Sequence, residues 1–210
     1  MTKSVAFVSQ KGGVGKSTLA RLIAREAAAG EWTVQICDLD TQQLSSTTWA
    51  ARRAEAGLSP ALQVSPAGSA AQALAAARDI DLLVIDAPAR ASAATLEIAR
   101  AVDLVVQPVS ASLDDLHPGV LLAHELVKKG IPSSKIAFVL IGGVDTDAEE
   151  RDARAYIEQA GYTALPGSIP HRPAFRQAQN TGRALSEVGP VTLRKRVGEV
   201  ARAIAGKLAN

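Results

Sequence analysis

The chain has 210 residues, of which 47% are hydrophobic and 21% are charged, and its formal net charge is +2. This composition excludes an intrinsically disordered chain, and the length fits one domain with a single core. No apolar run approaches the roughly 18 residues of a membrane span, and the single cysteine, Cys37, excludes both a disulfide within the monomer and a CxxC metal or iron–sulfur site.

The two ends of the chain bear on location and partners. Residues 1–4 lead directly into an apolar run, so we expect no cleavable signal and a cytoplasmic protein. Residues 171–210 carry eight Lys or Arg and two Glu, whereas the preceding 170 residues carry 15 basic and 19 acidic side chains. Such a basic segment binds nucleic acid or an anionic membrane in some proteins and is a solvated helix face in others, and composition leaves both open.

Strand-like and helix-like patterns alternate along the chain. Apolar runs predict strands near residues 4–9, 33–37, 62–65, 82–86, 104–109 and 136–141. Helical patterns are predicted near residues 17–29, 42–56, 69–78, 92–101, 112–129, 148–160, 173–181 and 191–208. Continuous apolar strands such as Leu82–Ile85 indicate burial on both faces. The sequence therefore predicts a doubly wound α/β fold, a mostly parallel sheet flanked by helices, in one domain over residues 1–210 that binds ligands at the carboxyl ends of its strands.

The turn between the first strand and the first helix is rich in glycine. Such a loop presents backbone N–H groups to one point, and the helix dipole adds partial positive charge there, so it cradles phosphate. We expect Lys16 to reach the β- and γ-phosphates and the Ser17 hydroxyl to ligate Mg²⁺. The predicted nucleotide-binding residues of this P-loop are Lys11, Gly12, Gly13, Val14, Gly15, Lys16, Ser17 and Thr18.

The start of the loop departs from the standard P-loop pattern, because Gln10 stands where glycine is expected and a second lysine, Lys11, follows it. The run Lys-Gly-Gly-Val-Gly-Lys-Ser-Thr resembles the deviant Walker A motif of the ParA/MinD family of ATPases. In that family the first lysine crosses a dimer interface to the partner's nucleotide. The resemblance therefore implies ATP and Mg²⁺ as cofactors and an ATP-dependent homodimer in which Lys11 and Lys16 are catalytic.

Acidic residues end two strands that are predicted to lie close to the loop. A carboxylate in this position can hold Mg²⁺ through water, and Asp86, which follows Leu82–Ile85, fits that role. The second strand ends in Asp-Leu-Asp-Thr-Gln, which resembles the family's Asp-x-Asp-Pro-Gln with Thr41 in place of proline. The resemblance places Asp38 near the metal and Asp40 at the position that orients the attacking water. Helix caps and turns are the alternative roles for each aspartate.

Later segments resemble the family in order and spacing. Residues 101–109 are similar to the strand after the family's second switch, and residues 112–116 to its Ser-x-Leu-Asp stretch. Residues 169–178 resemble its late proline-containing loop, which implies that Pro170 lies near the adenine pocket.

The resemblance also implies a DNA surface. ParA-type members bind DNA as ATP-bound dimers through basic side chains near the C-terminal part of the fold, and Lys and Arg contacts to phosphate give affinity without base readout. A solvated surface position is the alternative for any single residue. The candidates in this chain are Arg154, Arg172, Arg176, Arg183, Arg194, Lys195 and Arg196.

Membrane binding through a terminal amphipathic helix, as in the MinD branch, is the competing prediction. The segment Val191–Leu208 has apolar residues at helical spacing, but it contains no Phe or Trp and is interrupted by Ala and Gly. A helix packed on the domain's own core is the favoured interpretation, and we expect no stable membrane association.

The implied activity is slow ATP hydrolysis that a ParB-like or centromere-binding adaptor stimulates, on a nucleoid-associated protein that partitions a plasmid or chromosome. Because the chain starts at the P-loop strand, we expect the short ParA class, which lacks the N-terminal helix-turn-helix extension. The alternatives are a MinD-like membrane regulator, the positioning of a protein assembly such as a carboxysome or chemotaxis cluster, and a metabolic P-loop enzyme such as a dethiobiotin-synthetase-like ligase.

Overall fold

The computed structural model describes residues 2–89, 93–144 and 146–209. Its strands are β1 (Lys3–Ser9), β2 (Val34–Asp38), β3 (Gln63–Pro66), β4 (Leu82–Ala89), β5 (Leu104–Val109), β6 (Ile136–Ile141) and β7 (Thr163–Ile169). Its α-helices are α1 (Lys16–Ala29), α2 (Ser45–Glu55), α3 (Ala70–Ala76), α4 (Ala93–Ala101), α5 (Leu113–Lys128), α6 (Asp147–Gln159), α7 (Pro173–Asn180) and α8 (Val191–Ala209). The predicted start of α4 at residue 92 lies outside the described residues.

The described strands form one sheet in the order β3-β2-β4-β1-β5-β6-β7. Every neighbouring pair is parallel, which confirms the predicted doubly wound α/β fold of a P-loop NTPase. Strand β1 lies near the centre, between β4 and β5. The loop after β1 therefore opens where the chain order reverses, at the carboxyl ends of the strands, which is the usual ligand site of such a sheet.

The central strands are buried on both faces, as their apolar runs predict. In β1, Val5 and Phe7 pack with α1 and α8, whereas Ala6 and Val8 face the layer formed by α3, α4, α5 and α6. This alternation follows from the two-residue period of a strand. Each face of the sheet thus has its own apolar core.

The edge strand β7 was not predicted from the sequence. Pro166 and Gly167 interrupt its apolar pattern, and both residue types are depleted in strands. Proline is tolerated here because β7 lies at the edge of the sheet, where one side of the strand has no ladder partner. The register between β6 and β7 shifts between Phe138 and Leu140, opposite this interruption.

Helix α8 packs on the body of the protein. Val197, Val200, Ile204 and Leu208 are buried in the core that α1 and β7 share. This agrees with the favoured sequence interpretation of a helix packed on its own domain. In the part of the chain that the structure describes, no helix is both long and apolar enough to cross a membrane.

Candidate nucleotide-binding site

The loop between β1 and α1 has the backbone geometry of a phosphate cradle. Gly15 caps α1 with φ 103°, and a Cβ atom at this position would lie 2.9 Å from Cδ1 of Ile141, so only glycine fits. Gly13 also has a positive φ, of 77°. The N–H groups of the first turn of α1 have no partner within the helix. They are directed, together with the helix dipole, to one point at the carboxyl edge of the sheet.

A cavity of about 690 Å³ opens beside this loop. Of the predicted nucleotide-binding residues, those from Lys11 to Gly15, Thr18 and Pro170 line it. The wall opposite the loop comes from α7, through Phe175 and Gln179. The structure therefore brings Pro170 and the glycine-rich loop to one cavity, although Pro170 follows Thr18 by 152 positions in the sequence.

Lys16 spans the inside of the loop. It is only 8% exposed, and its ammonium donates a hydrogen bond to the backbone carbonyl of Lys11 at 3.1 Å. Burial lowers the pKa of Lys16, while the nearby carboxylates of Asp86 and Asp40 oppose that shift. The amine thus binds the loop backbone and interacts electrostatically with both predicted acidic residues.

Lys11 points out of the loop and binds the start of α5. Its ammonium forms an ion pair with Asp115 Oδ1 at 2.8 Å and donates a hydrogen bond to the backbone carbonyl of Asp114. That carbonyl has no helical partner, because Pro118, four residues later, has no N–H group. Burial alone would raise the pKa of Asp115, but hydrogen bonds from Lys11 and Ser110 hold it below its usual value.

Asp86 lies within the buried part of β4, a strand that extends to Ala89 rather than ending at residue 86 as predicted, and it is 1% exposed. Burial raises the pKa of its carboxyl, and the hydroxyl groups of Ser46 and Ser17 oppose the shift. Ser46 donates a hydrogen bond to Oδ2 at 2.7 Å, whereas Oδ1 is buried without a hydrogen-bond partner among the described residues. An orphaned carboxylate oxygen beside Ser17 fits a Mg²⁺ site, because oxygen atoms are the ligands of this ion.

Within the described ranges, no group of three or more His, Cys, Asp or Glu residues is arranged to hold a metal.

Asp38 is fully buried and caps α2 from the end of β2. Its Oδ2 accepts hydrogen bonds from the N–H groups of Ser46 and Thr47 at 2.9 and 3.0 Å. The residue that precedes α2, Leu44, has a positive φ of 47° and no acceptor in its side chain, so Asp38 supplies the cap. The metal role of Asp38 stays a prediction beside this structural one.

Asp40 lies in the turn between β2 and α2. Its Oδ1 accepts a hydrogen bond at 3.0 Å from the N–H group of Gln43, three residues later, which is a local contact that supports the turn. The turn over residues 41–43 delays the start of α2 to Ser45, three residues later than predicted. The Asp40 carboxylate also opposes the lowering of the Lys16 pKa by burial.

The CobQ/CobB/MinD/ParA nucleotide binding domain, a family with the short name CbiA, matches residues 5–185 of the chain. This match covers the loop, Asp38, Asp86 and Pro170. The chain belongs to this family. No curated protein matches it in sequence.

Solved structures share the fold at low sequence identity. MinD from Pyrococcus horikoshii complexed with Mg-ADP has a TM-score of 0.79 and 17% identity, over 100% of this chain and 98% of that one. The ATP complex of Cyanothece McdA(D38A) has a TM-score of 0.74 and 19% identity, over 97% and 96%. A putative plasmid partition protein from Borrelia burgdorferi, bound to AMPPNP, has a TM-score of 0.72 and 18% identity, over 99% and 100%.

In this member of the CobQ/CobB/MinD/ParA family, sequence reasoning missed Arg21 and Gln179, two polar residues that line the cavity. Arg21 is 8% exposed, and burial, the largest cause, lowers its pKa to about 10. It donates hydrogen bonds to Ser46 and Gln179, and its guanidinium lies 5.5 Å from the ring centroid of Trp49. The available signal was a single arginine within the apolar stretch Leu19–Ala24.

Six of the seven predicted DNA-binding residues lie in two exposed groups, and the seventh, Arg154, binds other groups of the protein. Arg172 and Arg176 belong to the start of α7 and also line the nucleotide cavity, and Arg183 follows that helix. Arg194, Lys195 and Arg196 are exposed on the first turns of α8. The side chain of Arg194 also donates to the carbonyls of Val188 and Gly189, which braces the loop before α8.

The side chain of Arg154, on α6, contacts its own helix and the edge strand β7. Its guanidinium pairs with Glu150 at 2.8 Å and donates to the carbonyls of Ala164, Leu165 and Gly167 in β7. These contacts cover the edge strand and give Arg154 a structural role. Its assignment to a DNA surface stays a prediction.

Proposed function

We propose that this chain is a ParA-like ATPase that dimerises on ATP, binds DNA without sequence preference in that state, and positions a cargo such as a plasmid or chromosome. An adaptor of the ParB-like or centromere-binding class would stimulate its slow hydrolysis. The family match supports nucleotide binding. The ATP, Mg-ADP and AMPPNP in the structures of similar fold support ATP and Mg²⁺ as the ligands.

The placement of the two loop lysines carries the proposal. Lys16 is buried inside the loop, where one ammonium can serve the phosphates of its own subunit. Lys11 is 43% exposed and directed away from that position, toward the start of α5. A second cation at the mouth of the cavity is well placed for a nucleotide that another subunit holds. We infer that ATP draws Lys11 from Asp115 to the partner's phosphates.

The chemistry follows from these residues. Backbone N–H groups of Gly12–Thr18 and the Lys16 ammonium bind the phosphates, and Ser17 and Asp86 hold Mg²⁺, which neutralises phosphate charge when bound. Lys11 of the other subunit stabilises the negative charge that develops during phosphoryl transfer, and Asp40 orients the attacking water. Loss of the γ-phosphate removes the partner of Lys11, so the dimer loosens.

The exposed cations of α7 and α8 support the DNA part of the proposal. Lys195 and Arg196 are adjacent, exposed and on the first turns of α8. Phosphate contacts by such side chains give binding that is independent of sequence and falls steeply with salt.

DNA binding tests this proposal. Binding to a duplex of arbitrary sequence is expected with ATP, is lost with ADP, and weakens as salt rises. The double variant Lys195→Gln with Arg196→Gln should bind more weakly, and the slope of log affinity against log salt should fall by about two. The matched control changes two adjacent exposed cations at the end of α5, Lys128→Gln with Lys129→Gln, and should leave the slope unchanged. Equal effects of the two pairs, or ATP-dependent binding to anionic vesicles without DNA binding, would contradict the DNA role.

A further inference from the structure

A chain of hydrogen bonds runs beside the nucleotide cavity, from Asp86 to Thr18. Arg21 stands at its centre, on the second turn of α1. Its Nε donates to the hydroxyl of Ser46 at 3.2 Å, and Ser46 in turn donates to Oδ2 of Asp86 at 2.7 Å. On the other side, Nη1 of Arg21 donates to Oε1 of Gln179 at 2.9 Å. One side chain thus connects the metal-side carboxylate to the α7 wall.

The bonds from Arg21 through Ser46 to Asp86 form the metal arm of this chain, and those from Arg21 to Gln179 form the α7 arm. The hydrogen-bonding capacity of each side chain fixes the direction of the bonds in the metal arm. Arginine has no acceptor, so the Ser46 oxygen must accept from it, and the single Ser46 proton is then available only for Asp86. That proton holds Oδ2, while Oδ1 is buried and has no hydrogen-bond partner in the part of the chain that the structure describes. Arg21 therefore acts on the orientation of the Asp86 carboxylate without touching it.

The directions of the hydrogen bonds in the α7 arm follow in the same way from the fact that arginine only donates. The amide oxygen of Gln179 must face Arg21, because arginine only donates, so the amide nitrogen faces Thr18. Gln179 Nε2 lies 3.2 Å from the hydroxyl of Thr18, in the first turn of α1. Both Gln179 and Thr18 line the cavity. Arg21 thus fixes the distance between the loop helix and the wall that faces it.

The guanidinium has little freedom to leave these two partners. It is 8% exposed and packs on the face of Trp49, which is itself fully buried. A second cation, Arg53, lies 5.6 Å from the centroid of the same ring. The side chain is therefore held by packing as well as by its hydrogen bonds.

We propose that Arg21 is a positioning residue that sets the Mg²⁺-binding orientation of Asp86 through Ser46 and the nucleotide-binding position of α7 through Gln179. This rests on the nucleotide and Mg²⁺ part of the proposed function and is independent of dimerisation and DNA binding. Partners of metal ligands commonly change metal affinity about tenfold to a hundredfold when they are removed.

Titration of a fluorescent ADP analogue, mant-ADP, with and without Mg²⁺ separates the two arms. Ser46→Ala should raise the half-saturating Mg²⁺ concentration about tenfold or more and leave binding in EDTA unchanged. Gln179→Leu should weaken binding in EDTA and leave the Mg²⁺ midpoint unchanged. Arg21→Met keeps the aliphatic packing on Trp49 and should change both quantities.

Two comparisons exclude a general loss of structure. Arg25→Met removes another arginine, one turn further along α1, which pairs with Glu26 and Glu187, and it should leave both quantities at their wild-type values. Ser46→Ala added to Arg21→Met should cost little more in Mg²⁺ affinity than Arg21→Met alone, because both act on Asp86 through one chain. Thermal unfolding identifies any variant that is not folded, and Ser46→Ala, the smallest change, then tests the metal arm by itself.

The outcomes are distinct. Wild-type Mg²⁺ dependence in both Ser46→Ala and Arg21→Met, or fully additive losses in the double variant, would overturn the positioning role of Arg21. A wild-type protein that binds mant-ADP with no response to Mg²⁺ would instead contradict the proposed function.

Discussion

At the scale of single residues, Asp40 is the side chain on which hydrolysis depends in the proposed mechanism. It lies in the turn after β2, with its charge close to Lys16. Asp40→Ala should keep ATP binding and lower turnover about a hundredfold, because a positioned proton acceptor contributes at least that much. The ATP-bound dimer should then persist in size-exclusion chromatography. Thr41→Ala, in the same turn, is the control, and normal turnover of ATP by Asp40→Ala would refute the hydrolytic role.

Asp115 is a second residue with a specific expectation, because it holds Lys11 within its own subunit. Asp115→Asn removes the charge at 2.8 Å from the Lys11 ammonium. The contact is partly exposed and worth at most about 1 kcal/mol, so the ATP-dependent dimer should form at a protein concentration about twofold to fivefold lower. Analytical ultracentrifugation with ATP measures this shift.

The neighbouring aspartate is the matched control for that experiment. Asp114 contacts Lys11 through its backbone carbonyl, which Asp114→Asn retains. This variant should dimerise as the wild type does. Equal shifts for the two variants would mean that the charge at the start of α5, rather than the pairing of Lys11, governs dimerisation.

At the scale of elements, a buried ion pair connects α2 to the turn before α8. Arg53 is 2% exposed and binds Glu187 through two hydrogen bonds, at 2.7 and 3.1 Å. The same guanidinium donates to the carbonyls of Pro60 and Gly182. Removing one partner leaves the other charge buried, so Glu187→Ala should lower the free energy of unfolding by about 3 to 5 kcal/mol in urea at pH 7.

The same pair predicts a pH dependence. Burial alone would raise the pKa of Glu187, but hydrogen bonds from Arg53 and from the N–H group of Ala184 hold it below its usual value. A lowered folded-state pKa gives stability that is present above the unfolded-state pKa and is lost as pH falls through the folded-state value. The difference in unfolding free energy between wild type and Glu187→Ala should therefore shrink as the pH falls below about 4.3. A constant difference down to pH 3 would contradict the ion-pair explanation.

The limits of sequence reasoning also follow from particular elements. The central strands and the glycine-rich loop are local signals, since burial on both faces requires continuous apolar runs and the loop requires glycine at Gly13 and Gly15. Strand β7 was not predicted because Pro166 and Gly167 interrupt its apolar pattern. The strand tolerates these residues only because it lies at the edge of the sheet. The contacts of Lys11 and Arg21 are tertiary, and no spacing along the chain indicates a partner 104 or 158 residues away.

At the scale of the whole molecule, the proposal requires that two subunits complete each other's sites. The exposed Lys11 ammonium is the cation that would leave its own subunit, whereas Lys16 is buried in the loop. Lys11→Ala should therefore keep monomeric ADP binding within about threefold, because a partly exposed charge contributes little there, and should abolish dimerisation on ATP. Light scattering after size-exclusion chromatography gives the mass with each nucleotide.

The result with Lys11→Ala decides between two kinds of protein. In a switch built from two subunits, the variant is a monomer with ATP, fails to bind DNA, and still exchanges mant-ADP as the wild type does. In a metabolic enzyme that completes its site within one subunit, the loss of a cation at the cavity mouth leaves the mass unchanged and alters only the affinity for ATP. Lys3→Ala, which removes a lysine from the opposite edge of the sheet, should behave as the wild type in both assays. A variant at Lys11 that still dimerises with ATP would exclude the shared site, because no other feature of the proposal uses that ammonium.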